Sequence, residues 1–156
     1  MDTRVQTFVG EYLQNNGQND LVQQFDLGSF PLKTQTLERT FVDKVFAICD
    51  YSISLKLDRQ SRHIYDLRQI LPLISLDEKL VSLFHEVREY RTPLPTCYSA
   101  QPGTKLHRLL SKLIGESTFE SDYQSKTYPL LYDQVRYESC VPSLLRIQKF
   151  LEDSDL

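Results

Sequence analysis

The stretch Ser61 to Leu71, "SRHIYDLRQIL", places Ile64, Leu67, Ile70 and Leu71 at helical spacing, with Ile74 continuing the same stripe. Residues three and four apart share a helix face, so this pattern predicts an amphipathic helix from about Gln60 to Leu71 or Leu73, with Pro72 near its end. Arg59, Arg62, His63 and Asp66 fall on the opposite face at the same spacing. One face packs and the other presents charge.

Similar apolar stripes recur along the chain. Val5, Phe8, Val9, Tyr12 and Leu13 predict a helix over 3 to 14, stopped by Asn15-Asn16-Gly17. A short second helix is expected at 21 to 25. Thr40 and Asp43 form a capping pattern for a helix that runs through Val45, Phe46, Ile48 and Cys49 to about Tyr51. Ser75 and Glu78 form another, ahead of Leu76, Leu80, Leu83, Phe84 and Val87. Thr104 is expected to cap a helix that ends near Gly115, and 119 to 139 and 142 to 152 read as helical. Between these, "RTPLPTCYSAQPG" at 91 to 103 is rich in proline and reads as a long loop.

A different pattern appears at 30 to 36, where Phe30, Leu32, Thr34 and Thr36 alternate as in a strand. This strand has no evident partner in the sequence. Unpaired backbone groups are costly when buried and adhesive when exposed, so a core outside this sequence or a second copy is expected to cover it. The expected architecture is a mostly helical bundle of about six helices with one short strand near residues 30 to 36. With 156 residues it should form a single domain that buries roughly 70% of its unfolded surface.

Composition narrows the functional classes. The net charge of −3 gives no general basic excess, so any nucleic-acid contact must use a local patch. Lys105, Arg108 and Lys112 form the best such row, on the outer side of the Thr104 helix, although rows of this kind are common on solvated faces. Cys49, Cys97 and Cys140 are odd in number and widely spaced, which fits a reduced cytoplasmic setting, and Cys49 continues a core stripe. No apolar run is long enough to span a membrane. His63, His85 and His107 lack ligand spacing, so no metal site is expected, and no Ser-His-Asp set or glycine-rich phosphate loop is present.

Two charged residues stand out. Lys44 is expected in the opening turns of its helix, where the macrodipole disfavours a cation. Together with free N–H groups, an ammonium there makes a phosphate-sized anion site; alternatively, Lys44 pairs with Asp43 or Glu38 on the surface. Asp66 could likewise make an ordinary helical ion pair with Arg62.

The order of "LERTFVDKVFAICDY" followed by "SRHIYDL" resembles the two C-terminal motifs of the AbiEii/AbiGii nucleotidyltransferase toxins, an E-R-T-F-x-[ED]-K helix ahead of an R-[HD]-x-Y-D-L helix. The stretches "VGEYLQNNGQNDLVQQFDLGSFPLKTQTL", "EVREYRTPLPTCYSA" and "DYQSKTYPLLYDQVRY" are similar to the same C-terminal half. The resemblance implies that Lys44, with Arg59 and Arg62, contacts nucleotide phosphates and that Lys44 and Asp66 are catalytic. It also implies an NTP substrate with Mg2+, tRNA as acceptor, and a cognate antitoxin. The family's Gly-Ser helix start and D-x-D pair are missing from the sequence: "GSF" at 28 to 30 has no acidic pair after it, and "DSD" at 153 to 155 has no Gly-Ser before it. The expectation is therefore an inactive half-enzyme, completed by a separate core, or a non-catalytic helical module or truncated remnant.

Overall fold

The computed structural model describes residues 2–156, which are mostly helical. The chain divides into two compact units, one ending at Thr36 and the other spanning Leu37–Leu156.

In the first unit, β1 (Asp2–Val5) is followed by α1 (Phe8–Asn15), α2 (Asn19–Gln24) and β2 (Phe30–Lys33). The two strands are antiparallel, with Thr3 opposite Leu32 and Val5 opposite Phe30. The strand expected to lack a partner therefore has one inside the chain. Apolar spacing predicts a helix over Thr3 and Val5, but both are β-branched and prefer the pleated conformation. Thr7 then caps α1, its hydroxyl accepting from the Gly10 N–H at 3.0 Å. The helix thus starts after the strand rather than at residue 3.

Gly10 is required by close packing. A Cβ at this position would collide with the Leu27 carbonyl oxygen.

The second unit is organised around α3 (Leu37–Ser54), which buries Phe41, Val42, Val45, Phe46, Ile48 and Cys49. Against it pack α4 (Arg62–Ile70), α5 (Glu78–Arg91) and α6 (Leu106–Gly115). Phe84 of α5 meets Phe41 edge-on at 6.5 Å and Phe46 at 6.0 Å. The remaining elements are α7 (Glu120–Asp122), a π-helical turn at Tyr123–Thr127, and α8 (Val141–Asp153), which packs on α6 and α4. Eight α-helices lie among the described residues, where spacing predicts about six; the additional ones are short.

Several helix starts differ from expectation. Helix α3 begins at Leu37, so Thr40 is internal and Lys44 lies beyond the first turn, where free N–H groups end. Lys44 is therefore not at the helix start, where the capping pattern places it. Asp77, not Ser75, caps α5, its carboxylate accepting from the N–H groups of Lys79 and Leu80 at 3.0 Å. Thr104 does not cap α6, which starts at Leu106. The helix expected over 119 to 139 is broken into short α, π and 3-10 pieces around Pro129.

The proline-rich segment is also more ordered than its composition suggests. Cys97, Ser99 and Ala100 are buried, and Tyr98–Ala100 forms a 3-10 turn against α3. Asp50 holds it there, accepting from both the N–H and the hydroxyl of Ser99 at 2.7 Å. Arg91 completes this network, donating to Asp50 at 3.1 Å and Asp43 at 3.3 Å with its guanidinium over the Phe46 ring.

Candidate functional site

Helices α3 and α4 join through charge at one point. Lys44 donates to Asp66 at 2.6 Å, across 22 positions of sequence. The alternative pairings are not made: Asp43 is engaged by Arg39 and Arg91, and among the described residues no ion pair joins Glu38 to Lys44 or Arg62 to Asp66. The Lys44 and Asp66 side chains are 21% and 36% exposed. At such exposure an ion pair contributes about 0–1 kcal/mol, so apolar packing rather than this pair fixes α4 on α3. The charges are thus not needed to hold the helices together.

Asp66 also lines an open cleft of about 700 Å³ with Arg59, Arg62, Tyr65 and Lys126. Three cationic side chains thus share its lining with one carboxylate. Arg62 is exposed and carried on the first turn of α4, one turn before Asp66. Arg59 does not share this helix, contrary to the spacing argument. It sits ahead of α4 with a left-handed backbone, φ 60°. Its arrival at the cleft therefore depends on the loop.

That loop is held by Asp122. Its carboxylate accepts from the Arg59 N–H at 2.8 Å and the Ser61 N–H at 3.0 Å. Burial acts to raise the Asp122 pKa, but hydrogen bonds from Ser61, Arg59 and Gln60 outweigh it and leave the carboxyl below its ordinary value. Ser61 and Thr127 share a buried hydroxyl contact of 2.7 Å, which ties the start of α4 to the π-helical turn. Lys126, on that same turn, thereby reaches the cleft wall.

Behind the ion pair lies His63, stacked on Tyr51 of α3 at 5.9 Å with the rings 3° from parallel. Desolvation and the nearby Lys44 and Arg62 charges lower its pKa to about 4 against an opposing pull from Asp66, so the imidazole is neutral at pH 7. Its buried Nδ1 has no hydrogen-bond partner among the described residues.

The remaining predicted residues fall elsewhere. Lys105 precedes α6 and pairs with Asp155 at 2.9 Å, leaving Arg108 and Lys112 as the exposed basic residues on that helix. His107 donates from Nδ1 to the Leu156 carbonyl at 2.9 Å and is remote in sequence from His63. Among the described residues, no group of three or more His, Cys, Asp or Glu is disposed to hold a metal. The donor set at the cleft, one carboxylate already engaged by a lysine, does not fit Mg2+ on its own. Asp122 and Lys126 were not assigned roles from sequence. Both lie far beyond α4 in sequence, and only the fold brings them to it.

A mostly helical unit with paired motif helices and a cationic cleft is the class of protein that these features define. Residues 8–138 match the family of the nucleotidyl transferase AbiEii toxin of type IV toxin–antitoxin systems, and the chain belongs to that family. No curated protein and no solved structure matches it. The family implies an antitoxin as a partner. Among the described residues no helix is long and apolar enough to cross a membrane.

Proposed function

We propose that the cleft beside α4 is the phosphate-binding part of a nucleotidyltransferase site. The observation that carries this reading is the Lys44–Asp66 contact of 2.6 Å, made to a carboxylate that lines a cleft with Arg59, Arg62 and Lys126. Nucleotidyl transfer depends mainly on placing a triphosphate and neutralising its charge. Arg62 and Lys126 meet the phosphates, Arg59 extends the same rim, and Lys44 exchanges part of its contact with Asp66 for a phosphate oxygen. Asp66 in turn keeps the ammonium oriented.

This chain supplies the cationic part of the site only. A catalytic core with paired metal-binding carboxylates would bring Mg2+ and complete it, so the chain alone binds NTP without turnover. tRNA is the acceptor in this reading, with Arg108 and Lys112 as secondary backbone contacts.

The same ion pair favours a second reading. A lysine already satisfied by a carboxylate can be purely structural, which would make the chain a non-catalytic helical interaction module.

Calorimetric titration with each nucleoside triphosphate, with and without Mg2+, separates the two. Saturable binding that weakens about tenfold or more in Lys44→Ala is expected, the cost of removing one charge-assisted contact. An absence of binding, or equal binding by the variant, would leave the structural module.

A further inference from the structure

The π-helical turn Tyr123–Thr127 has a second cavity beside it, outside the Lys44 cleft. Tyr123, Gln124, Tyr128, Arg136, Tyr137 and Glu138 line about 310 Å³. Neither Lys44 nor Asp66 takes part. Tyr137 is only 3% exposed, and its phenolic oxygen has no hydrogen-bond partner among the described residues. A buried hydroxyl without a partner is rare in folded proteins, and in a cavity wall it marks a place where a ligand atom can supply the missing contact.

The other phenol is already used. Tyr123 donates to the Val135 carbonyl at 3.0 Å and meets the Tyr137 ring edge-on at 5.7 Å, which fixes that ring in the wall. Burial, with Glu120, Cys140 and Glu138 nearby, raises the Tyr137 pKa to about 12, so its hydroxyl keeps a proton to donate. Gln124 donates to Glu120 at 3.1 Å and retains its carbonyl oxygen as an acceptor. Half-buried Tyr128 offers a ring, while exposed Arg136 and Glu138 supply a donor and an acceptor at the rim. The volume lies at the small end of ligand sites and suits one ring system rather than a whole nucleoside triphosphate.

We propose that this tyrosine-lined cavity binds a nucleobase, stacked on Tyr128 and hydrogen-bonded by the Tyr137 hydroxyl. Aromatic faces with polar groups at the edge are the usual means of holding an unstacked base. Such a base could belong to a free nucleotide or to a single-stranded RNA, and both present the same edge and face. The site stands on its own geometry, so it is testable whether or not the Lys44 cleft binds phosphates.

The test follows tyrosine ring chemical shifts by NMR in the full chain. The probes are the four ribonucleosides, which carry no phosphate, and short single-stranded homopolymer RNAs. Saturable shifts at Tyr128 and Tyr137 are expected with at least one base type. Tighter binding of the oligonucleotide would assign the base to a strand, and equal binding to a free nucleotide. Tyr128→Leu should abolish the shifts while preserving apolar bulk. Tyr137→Phe should weaken binding about tenfold, as loss of one well-placed hydrogen bond does, with a melting temperature equal to or above that of the wild type. Lys44→Ala should bind nucleosides normally, which distinguishes this site from the phosphate cleft. No shift with any base or oligonucleotide, or unchanged binding in both tyrosine variants, would overturn the proposal.

Discussion

His63 shares α4 with Asp66 but stacks its ring against Tyr51, within reach of the Lys44 and Arg62 charges. This placement gives the folded chain a pH dependence whose sign is determined. The imidazole pKa falls from 6.5 to about 4, so the unfolded chain binds the proton more readily. Stability from the neutral ring is complete above pH 6.5 and is lost as pH falls from 6.5 toward about 4. Asp122 adds a second loss at lower pH, because its depressed pKa is compared with an ordinary value of 3.8. His63→Phe keeps a ring against Tyr51 and removes the titration. The wild-type melting temperature should therefore fall relative to the variant by several degrees between pH 7 and pH 5, at about 2–4 °C per kcal/mol for a chain of this size. A parallel pH profile for the two proteins would show that His63 is solvated rather than trapped beside Lys44.

At the level of elements, the start of α4 and the 97–100 turn are each fixed by one carboxylate from a distant part of the chain. Asp122 acts as a cap supplied from outside the helix, since Ser61 makes no capping bond with its own side chain. Asp122→Ala should cost about 1 kcal/mol, as loss of a cap does, and should release Arg59 from its left-handed conformation. Asp50 is more deeply placed, with an 11% exposed side chain bonded to Ser99 and Arg91. Asp50→Ala should cost about 3 kcal/mol because it leaves Arg91 partly buried without that carboxylate. Denaturant melts of the two variants check this order, and a larger loss for Asp122→Ala would contradict it. The same elements show what could be read from sequence. Apolar spacing located α3, α4, α5, α6 and α8, and the paired motifs singled out Lys44, Arg62 and Asp66. Capping patterns were less reliable, because Thr40, Ser75 and Thr104 each have the right chemistry while tertiary packing sets the helix starts elsewhere. Asp50, Arg91 and Asp122 act through contacts 41 to 63 residues apart, which no local spacing reveals.

For the whole molecule, the two units carry different kinds of order. The buried apolar cluster runs from Phe41 to Leu156 and lies wholly within the second unit. In the first unit, Phe8 is 91% exposed and Gly10 is the one apolar position of α1 that is buried. A chain of residues 37–156 therefore retains the complete core, and with it the Lys44–Asp66 pair, the Asp122 anchor and the tyrosine-lined cavity. It should fold alone with a helical circular dichroism spectrum and one cooperative melt. Gly10→Ala in the full chain places a methyl against the Leu27 carbonyl, so it should disturb residues 2–36 in an NMR spectrum while signals from 41 onward stay fixed. If residues 37–156 instead melt without cooperativity, the second unit needs the first to fold, and binding measured on the full chain could not be assigned to the second unit alone. If both tests come out as expected, the phosphate cleft and the nucleobase cavity can each be titrated in the fragment. Their affinities should then match those of the full chain, because all of their lining residues lie beyond Leu37.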